Sequence, residues 1–386
     1  MKKIAIIGAS YLQEPLIQKA KSCGIQTHVF AWKRGDVGEK SADFFYPISI
    51  REKEKILSVC EKTGIDGICS ISSELAMIAV NYVADKLHLV GNTNDCVLRT
   101  TNKHIMRKCF EENGDPSPRS ISVSSAKDAA DIDLDFPLIV KPVDRSGSRG
   151  VTKVFDRSEL SGAIKTALSF GFEKEAIVEE YVDGREYSVE YISWEGKHFF
   201  VALTQKYTTG SPNFIETAHL EPAQVDGETL IRIRKVVEHA LDSVNFRYGA
   251  SHTEVMVTDN GDIRIIEIGG RMGGDNIGSS LVELSTGYDY LKGVIDVSLG
   301  IPPRVDITHR SFAAIRFVFS DEDIRVLEAI KAQKPEILVE EDVHMITSQK
   351  VTDSSTRFGY YTIASEDLYD IQRFMPSGLD RQKEDN

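Results

Sequence analysis

Ile265-Ile266-Glu267-Ile268-Gly269-Gly270-Arg271-Met272-Gly273-Gly274-Asp275, taken with Thr253-Glu254-Val255-Met256-Val257 upstream, is the stretch on which the reading of this chain turns. Both segments alternate apolar and polar residues as half-buried strands do, and Asp259-Asn260-Gly261-Asp262 between them has the composition of a hairpin turn. On such a hairpin Glu254 and Glu267 can point to one face, where a hard cation finds oxygen ligands. The competing interpretation is a pair of solvated strand carboxylates. Two Gly-Gly pairs around Arg271 favour the first, because they allow close backbone approach and supply a planar cation suited to a carboxylate or phosphate.

Working outward, the N-terminal third alternates short apolar runs with helical stretches. Lys3 to Gly8 is a strand closed by glycine, followed by a helix from Glu14 to Cys23, a strand from Thr27 to Trp32, a helix from Lys53 to Lys62, a strand from Gly67 to Ile71 and a helix from Glu74 to Leu87. That is the pattern of a small doubly wound α/β sheet. A dinucleotide site there is disfavoured, since Gly8-Ala9-Ser10-Tyr11-Leu12-Gln13 offers one glycine where the fingerprint has three. A helix from Asn102 to Asn113 ends at Gly114-Asp115-Pro116-Ser117-Pro118, and an α+β unit follows: a strand to Lys141-Pro142, the loop Ser146-Gly147-Ser148-Arg149-Gly150, a helix from Ser158 to Phe170 and a strand from Ala176 to Val182. Beyond Arg185 strands predominate, with helices at Gly227 to Val244 and Asn276 to Gly287. Short strands and a helix near Glu366 to Phe374 follow from Arg310. The polar tail from Gly378 to Asn386 is expected to be disordered.

Composition narrows the function. A net charge of −13 and a pI near 5.3 disfavour nucleic acid and anionic membrane as general partners. No apolar run approaches the length of a membrane span, and no leader-type segment opens the chain, so a cytoplasmic protein is expected. Five cysteines without a Cys-x-x-Cys pair read as reduced thiols rather than a zinc site. Within the loop at Ser146 to Gly150, small residues around an Arg suit backbone amides turned to phosphate oxygens, though an ordinary hairpin connection would look similar. Lys141 at the end of a buried strand and Lys103 at the start of a helix are both costly places for a cation, and a bound phosphate explains both.

These residues together resemble the ATP-grasp superfamily of carboxylate-amine ligases, over roughly Lys3 to Arg304, with the amino-acid (dipeptide) ligase branch nearest. The resemblance implies an α/β and α+β protein of ATP-grasp fold: a doubly wound preATP-grasp domain over 1–101, a lid subdomain with the adenine hinge over 102–185, and a mixed-sheet C-terminal domain over 186–386 with a small α+β extension from about 310. ATP is the implied cofactor, with Mg2+ or alternatively Mn2+. The nucleotide-binding set it implies is Lys103, Lys141, Ser146, Gly147, Ser148, Arg149, Gly150, Glu179, Glu180, Tyr181, Val182 and Glu186. Glu179 and the backbone of Glu180 and Val182 would meet adenine, and Glu186 the ribose. Glu254 and Glu267 become the metal acids. Gly269 stands where many relatives carry a further asparagine ligand. Arg271 falls near the transferred phosphate, and Glu216 with His219, in Asn213-Phe214-Ile215-Glu216-Thr217-Ala218-His219, resembles a Glu-x-x-His stretch that meets the substrate ammonium and the acyl intermediate. Small-molecule carboxylate and amine substrates follow, and a homodimer is compatible with size and resemblance. Three rivals stay open: a carboxylase or phosphoribosyl-type ligase of the same superfamily, a non-catalytic nucleotide-binding module, and, least favoured, an oxidoreductase.

Overall fold

The computed structural model describes residues 1–211 and 214–376. The tail expected to be disordered lies outside the described residues, as does Asn213. The chain builds three sheets. In the first unit, β1 (Lys3–Ile7), α1 (Glu14–Ser22), β2 (Gln26–Phe30), α2 (Val37–Ser41), β3 (Phe44–Tyr46), α3 (Lys53–Thr63), β4 (Gly67–Cys69) and α4 (Glu74–Lys86) follow in order. The strands pair in parallel as β3-β2-β1-β4. β1 has an almost unbroken apolar run because both of its faces are covered.

Two helices then lead out of this unit, α5 (Asn94–Thr101) and α6 (Lys103–Asn113). The sequence reading merged their junction into one helix start and passed over α5. Asn102 separates them: its side chain accepts from the His104 and Ile105 amides, so α6 begins at Lys103. Met106, Cys109 and Phe110 of α6 pack into the core beneath the large sheet.

The second sheet is a four-stranded antiparallel unit formed by β5 (Ser120–Val123), β6 (Leu138–Pro142), β7 (Thr152–Val154) and β8 (Ala176–Glu180), in the order β5-β8-β6-β7. Helix α7 (Arg157–Phe170) covers one face through Leu160, Ala163, Ile164 and Ala167. The glycine loop joins β6 to β7 at its rim.

The third sheet has eight strands: β9 (Arg185–Trp194), β10 (Lys197–Thr208), β11 (Glu216–Glu221), β12 (Gly249–Val257), β13 (Ile263–Gly269), β14 (Phe312–Phe317), β15 (Leu338–Val343) and β16 (Gly359–Ser365). Their order is β13-β12-β9-β10-β11-β14-β16-β15. The segment after residue 310 therefore continues the same sheet through β14 on β11. Tyr187, Val189, Tyr191, Leu203 and Val255 point to one face, where α8 (Gly227–Ser243) buries Ile233, Val237, Ala240 and Leu241. The alternate residues point to the other face and are mostly polar. Helices α9 (Val282–Thr286), α10 (Tyr290–Ser298), α11 (Asp321–Gln333) and α12 (Leu368–Gln372) complete the chain. The single helix expected from Asn276 is a π-helical turn, Ile277–Leu281, running into α9. α10 and α11 were not read from the sequence. Among the described residues no helix is long and apolar enough to cross a membrane.

Candidate active site

Strand alternation assembles the site. Residues Glu186, Ser188 and Glu190 of β9 share a face with His252 and Glu254 of β12, and the register sets Glu190 beside His252 and Ser188 beside Glu254. Across the next ladder, Glu254 stands directly opposite Glu267 of β13. On the other side, Thr204 of β10 pairs with Ser188, and Lys206 of β10 pairs with His219 of β11. Glu216 and His219 lie three residues apart, which on an even strand would send them to opposite faces. An irregularity in the register at Thr217 takes up one residue and returns both to the polar face.

Lys206 is the centre of this face. Its Nζ lies 2.6 Å from Glu186 Oε1, 2.6 Å from Glu254 Oε1 and 3.7 Å from Glu216 Oε1. Burial works against its charge, but the three carboxylates more than reverse this and hold the ammonium well above the ordinary lysine range. Glu254 feels burial too, and Lys206 and then His252 pull it well below the usual carboxyl range. Glu186 is lifted instead: burial is the largest cause, and neighbouring Glu254 adds to it against Lys206.

Lys103 and Lys141 occupy a second group. Lys103 Nζ lies 2.8 Å from Glu267 Oε1 and donates to the Arg145 carbonyl at 2.9 Å, which ties the glycine-loop rim to the Glu254–Glu267 hairpin. Lys141 pairs with Glu179, whose other oxygen takes Arg107 Nη2 at 3.0 Å. Arg107 also donates to the Ile266 carbonyl at 2.7 Å. Burial, aided by Arg107 and Lys103, lowers Lys141 below the ordinary lysine range despite Glu179.

The exposure of these pairs is asymmetric. The side chains of Glu254 and Glu267 are 23% and 18% exposed, against 4% and 6% for Lys206 and Lys103. Carboxylate oxygens thus line the cleft with the ammonium groups beneath them, a donor set of hard oxygens that fits Mg2+ or Mn2+. Among the described residues no three His, Cys, Asp or Glu side chains are arranged to hold a metal ion, so the protein would supply these two acids. At Gly269, a Cβ would stand 3.2 Å from Arg271 Cζ. The Arg271 guanidinium therefore folds over the position where an asparagine ligand was expected, and it pairs with Glu74 at the start of α4, Nε to Oε1 being 2.8 Å.

The glycine loop has Gly147, Ser148 and Gly150 at φ of +69°, +57° and +76°. Among the described residues, no backbone carbonyl accepts from the amides of residues 146 to 150, so the loop can present them as an anion cradle. Ser148 Oγ donates to the Phe214 carbonyl at 2.9 Å, and Arg149 folds back on Ser146. At the hinge, the Glu180 and Tyr181 amides are committed to the carbonyls of Arg119 and Pro137. The Val182 amide has no backbone partner among the described residues.

Five site residues escaped the sequence reading: Lys206, Arg107, Asp275, Ser354 and Arg357. Lys206 carried a usable signal, being a lone cation in the strand Val201-Ala202-Leu203-Thr204-Gln205-Lys206-Tyr207, the same pattern that marks Lys141. Asp275 was quoted without a role. Arg107, Ser354 and Arg357 reach the site only through tertiary packing.

Residues 134–279 match the model of the ATP-grasp domain. The chain has the ATP-grasp fold. The crystal structure of an L-amino acid ligase from Bacillus licheniformis has the same ATP-grasp fold, with a TM-score of 0.81 at 23% identity over 97% of this chain and 96% of that one. N5-carboxyaminoimidazole synthetase from Staphylococcus aureus, solved with ADP, gives a TM-score of 0.76 at 18% identity, covering 96% and 95%. In sequence, the chain is 26% identical over 302 residues to the alanine–anticapsin ligase of Bacillus subtilis strain 168, covering 69% of this chain and 63% of that protein. It thus spans less than two thirds of that relative's length. The ATP-grasp match covers β6, β7 and β8 of the second sheet, the glycine loop and the Glu254–Glu267 hairpin.

Proposed function

We propose that this protein is an ATP-dependent, ADP-forming ligase that joins the carboxylate of an amino acid to an amine through an acyl phosphate. The observation that carries the reading is the shared face of Glu216, His219, Lys206, Glu254 and Glu267: a candidate ammonium acceptor on the same sheet face as the two candidate metal acids. Similarity to alanine–anticapsin ligase supports it.

A carboxylate is a poor electrophile, because its oxygen leaves badly. One carboxylate oxygen attacks the γ-phosphorus of ATP, ADP departs, and the amine nitrogen then attacks the acyl carbon. The C–O bond to phosphate breaks, carrying that oxygen away, and the nitrogen loses a proton. In this scheme the amides of Ser146 to Gly150, with Lys103 and Lys141, hold the triphosphate. Glu179 fixes Lys141, the Val182 amide meets adenine and Glu186 the ribose. Glu254 and Glu267 would hold Mg2+ or Mn2+, which supplies charge neutralisation on the transferred phosphoryl group. Arg271 stabilises the developing charge through its planar donors. Closing the glycine loop on the Phe214 segment excludes water from the activated acyl group.

Glu216 and His219 favour this reading over a carboxylase, which has no ammonium to bind. We place the enzyme in the cytoplasm with small-molecule partners. Screening amino acids in pairs for ATP-dependent ADP release tests the assignment. Release that requires both a carboxylate donor and an amine supports it, whereas release with bicarbonate alone transfers the site to the carboxylase class.

A further inference from the structure

The side of the site around Glu216 and Asp275 is braced by a segment outside the ATP-grasp match. Residues 353–357 connect β15 to β16 and return across the end of β11. Ser354 Oγ donates to Glu216 Oε2 at 2.8 Å. Arg357 makes a two-pronged pair with Asp275, Nη2 to Oδ1 at 2.7 Å and Nη1 to Oδ2 at 2.9 Å. Its Nε donates to the Ser354 carbonyl at 2.8 Å, and Nη1 also reaches the Glu216 carbonyl at 3.3 Å. The guanidinium lies 3.6 Å above the Phe317 ring, and Phe317 in turn meets the His219 imidazole edge to face, with centroids 5.5 Å apart. Four of the five guanidinium N–H groups point to these acceptors, and the side chain is 5% exposed.

The partners of Arg357 are the residues whose placement the site needs. Asp275 sits at φ +50° and is followed by Asn276 at φ +60°, two consecutive non-glycine residues in the left-handed region. Such a backbone is held by its surroundings rather than by its own preference. Asp275 Oδ2 lies 3.8 Å from His219 Nε2, while His219 Nδ1 is buried without a hydrogen-bond partner. Burial favours the neutral imidazole, so the facing carboxylate selects the tautomer with its proton on Nε2 and leaves a lone pair on Nδ1.

We propose that Arg357, assisted by Ser354, is a positioning residue that fixes Glu216, Asp275 and His219 as the substrate-facing wall of the site, a role that rests on the ligase reading above. The C-terminal unit is then part of the substrate pocket rather than an appendage. Four of the five donors of Arg357 are committed to protein acceptors, so it acts through the groups it holds. Its loss should weaken engagement of the amino-acid substrates while leaving the nucleotide end of the cleft intact, because its hydrogen bonds run to Ser354, Glu216 and Asp275 rather than to Lys103, Lys141 or the glycine loop.

The test compares the parent protein with Arg357→Gln, Arg357→Lys and the milder Ser354→Ala, using the amino-acid pair that gives the fastest ADP release. Arg357→Gln should raise KM for the amino acids by roughly tenfold to a hundredfold, with KM for ATP changed by less than about twofold, and Arg357→Lys should recover part of the loss. Ser354→Ala should move the same constant in the same direction. Equal rises in both KM values, or none, would overturn the proposal. A second arm needs no turnover: the 15N spectrum of His219, assigned from its loss in His219→Asn, is recorded at about pH 8, where the ring is neutral. The parent should show a single Nε2–H tautomer, and Arg357→Gln a tautomer mixture. If the parent shows no ADP release with any amino-acid pair, the ligase reading fails and the spectrum alone decides the role of Arg357; an unchanged His219 spectrum in a folded variant contradicts it.

Discussion

Glu254 and Glu267 face each other as a direct cross-strand pair, and each carboxylate carries a lysine from a different element, Lys206 of β10 and Lys103 of α6. Like charges placed opposite one another repel. The two lysines let the pair persist in the folded chain while its oxygens stay at the cleft surface.

Lys206 is the most heavily committed of these cations, shared among Glu186, Glu216 and Glu254. Lys206→Met leaves three partly buried carboxylates without their shared cation and should cost about 2–4 kcal/mol in urea unfolding, at or below the range for a fully buried pair. A loss below about 1 kcal/mol would mean that these acids are solvated or protonated without it.

Much of this was legible beforehand. Period-two alternation around a turn of Asp259 to Asp262 makes the hairpin legible, but an even register from Val257 opposite Ile263 would set Glu254 against Ile266; an irregularity at Ile266 brings Glu267 opposite Glu254 instead, and no local preference announces it. The N-terminal sheet was equally plain, since parallel strands covered on both faces are continuous apolar runs. Glu216 and His219 were noticed as a motif, yet their common face depends on an irregularity at Thr217 that no local preference announces. Arg357 and Ser354 were invisible: a polar loop 79 to 82 residues from Asp275 carries no sign of where it will pack. α11 went unread although Ser320 and Asp323 form a capping box at its start.

Glu221 gives a pH signature. The residue is fully buried, its oxygens accept from Thr204 Oγ1 at 2.6 Å and Ser285 Oγ at 2.7 Å, and burial pushes its carboxyl up to about 7. The unfolded chain releases this proton near pH 4.3, so between about 4.3 and 7 the folded state binds more protons and stability falls as pH rises. Glu221→Gln should remove that decline, with the difference from the parent growing to on the order of 3 kcal/mol above pH 7. Parallel stability curves from pH 4 to 8 would show that Glu221 titrates normally.

Gly269 tests the packing of Arg271. A methyl group there meets the guanidinium at 3.2 to 3.4 Å, so Gly269→Ala pushes Arg271 by a few tenths of an ångström against its pairing with Glu74. The expected cost is about 1 kcal/mol, and it should vanish in an Arg271→Ala background. The same cost in both backgrounds would locate the effect in the backbone instead.

The acyl-phosphate route itself leaves an isotopic trace. With the active amino-acid pair and the donor carboxylate labelled with 18O, phosphate released during turnover should contain one 18O atom for each amide bond formed, since the oxygen that attacks the γ-phosphorus leaves with it. Phosphate released without label, at a rate matching product formation, would contradict the account at its centre.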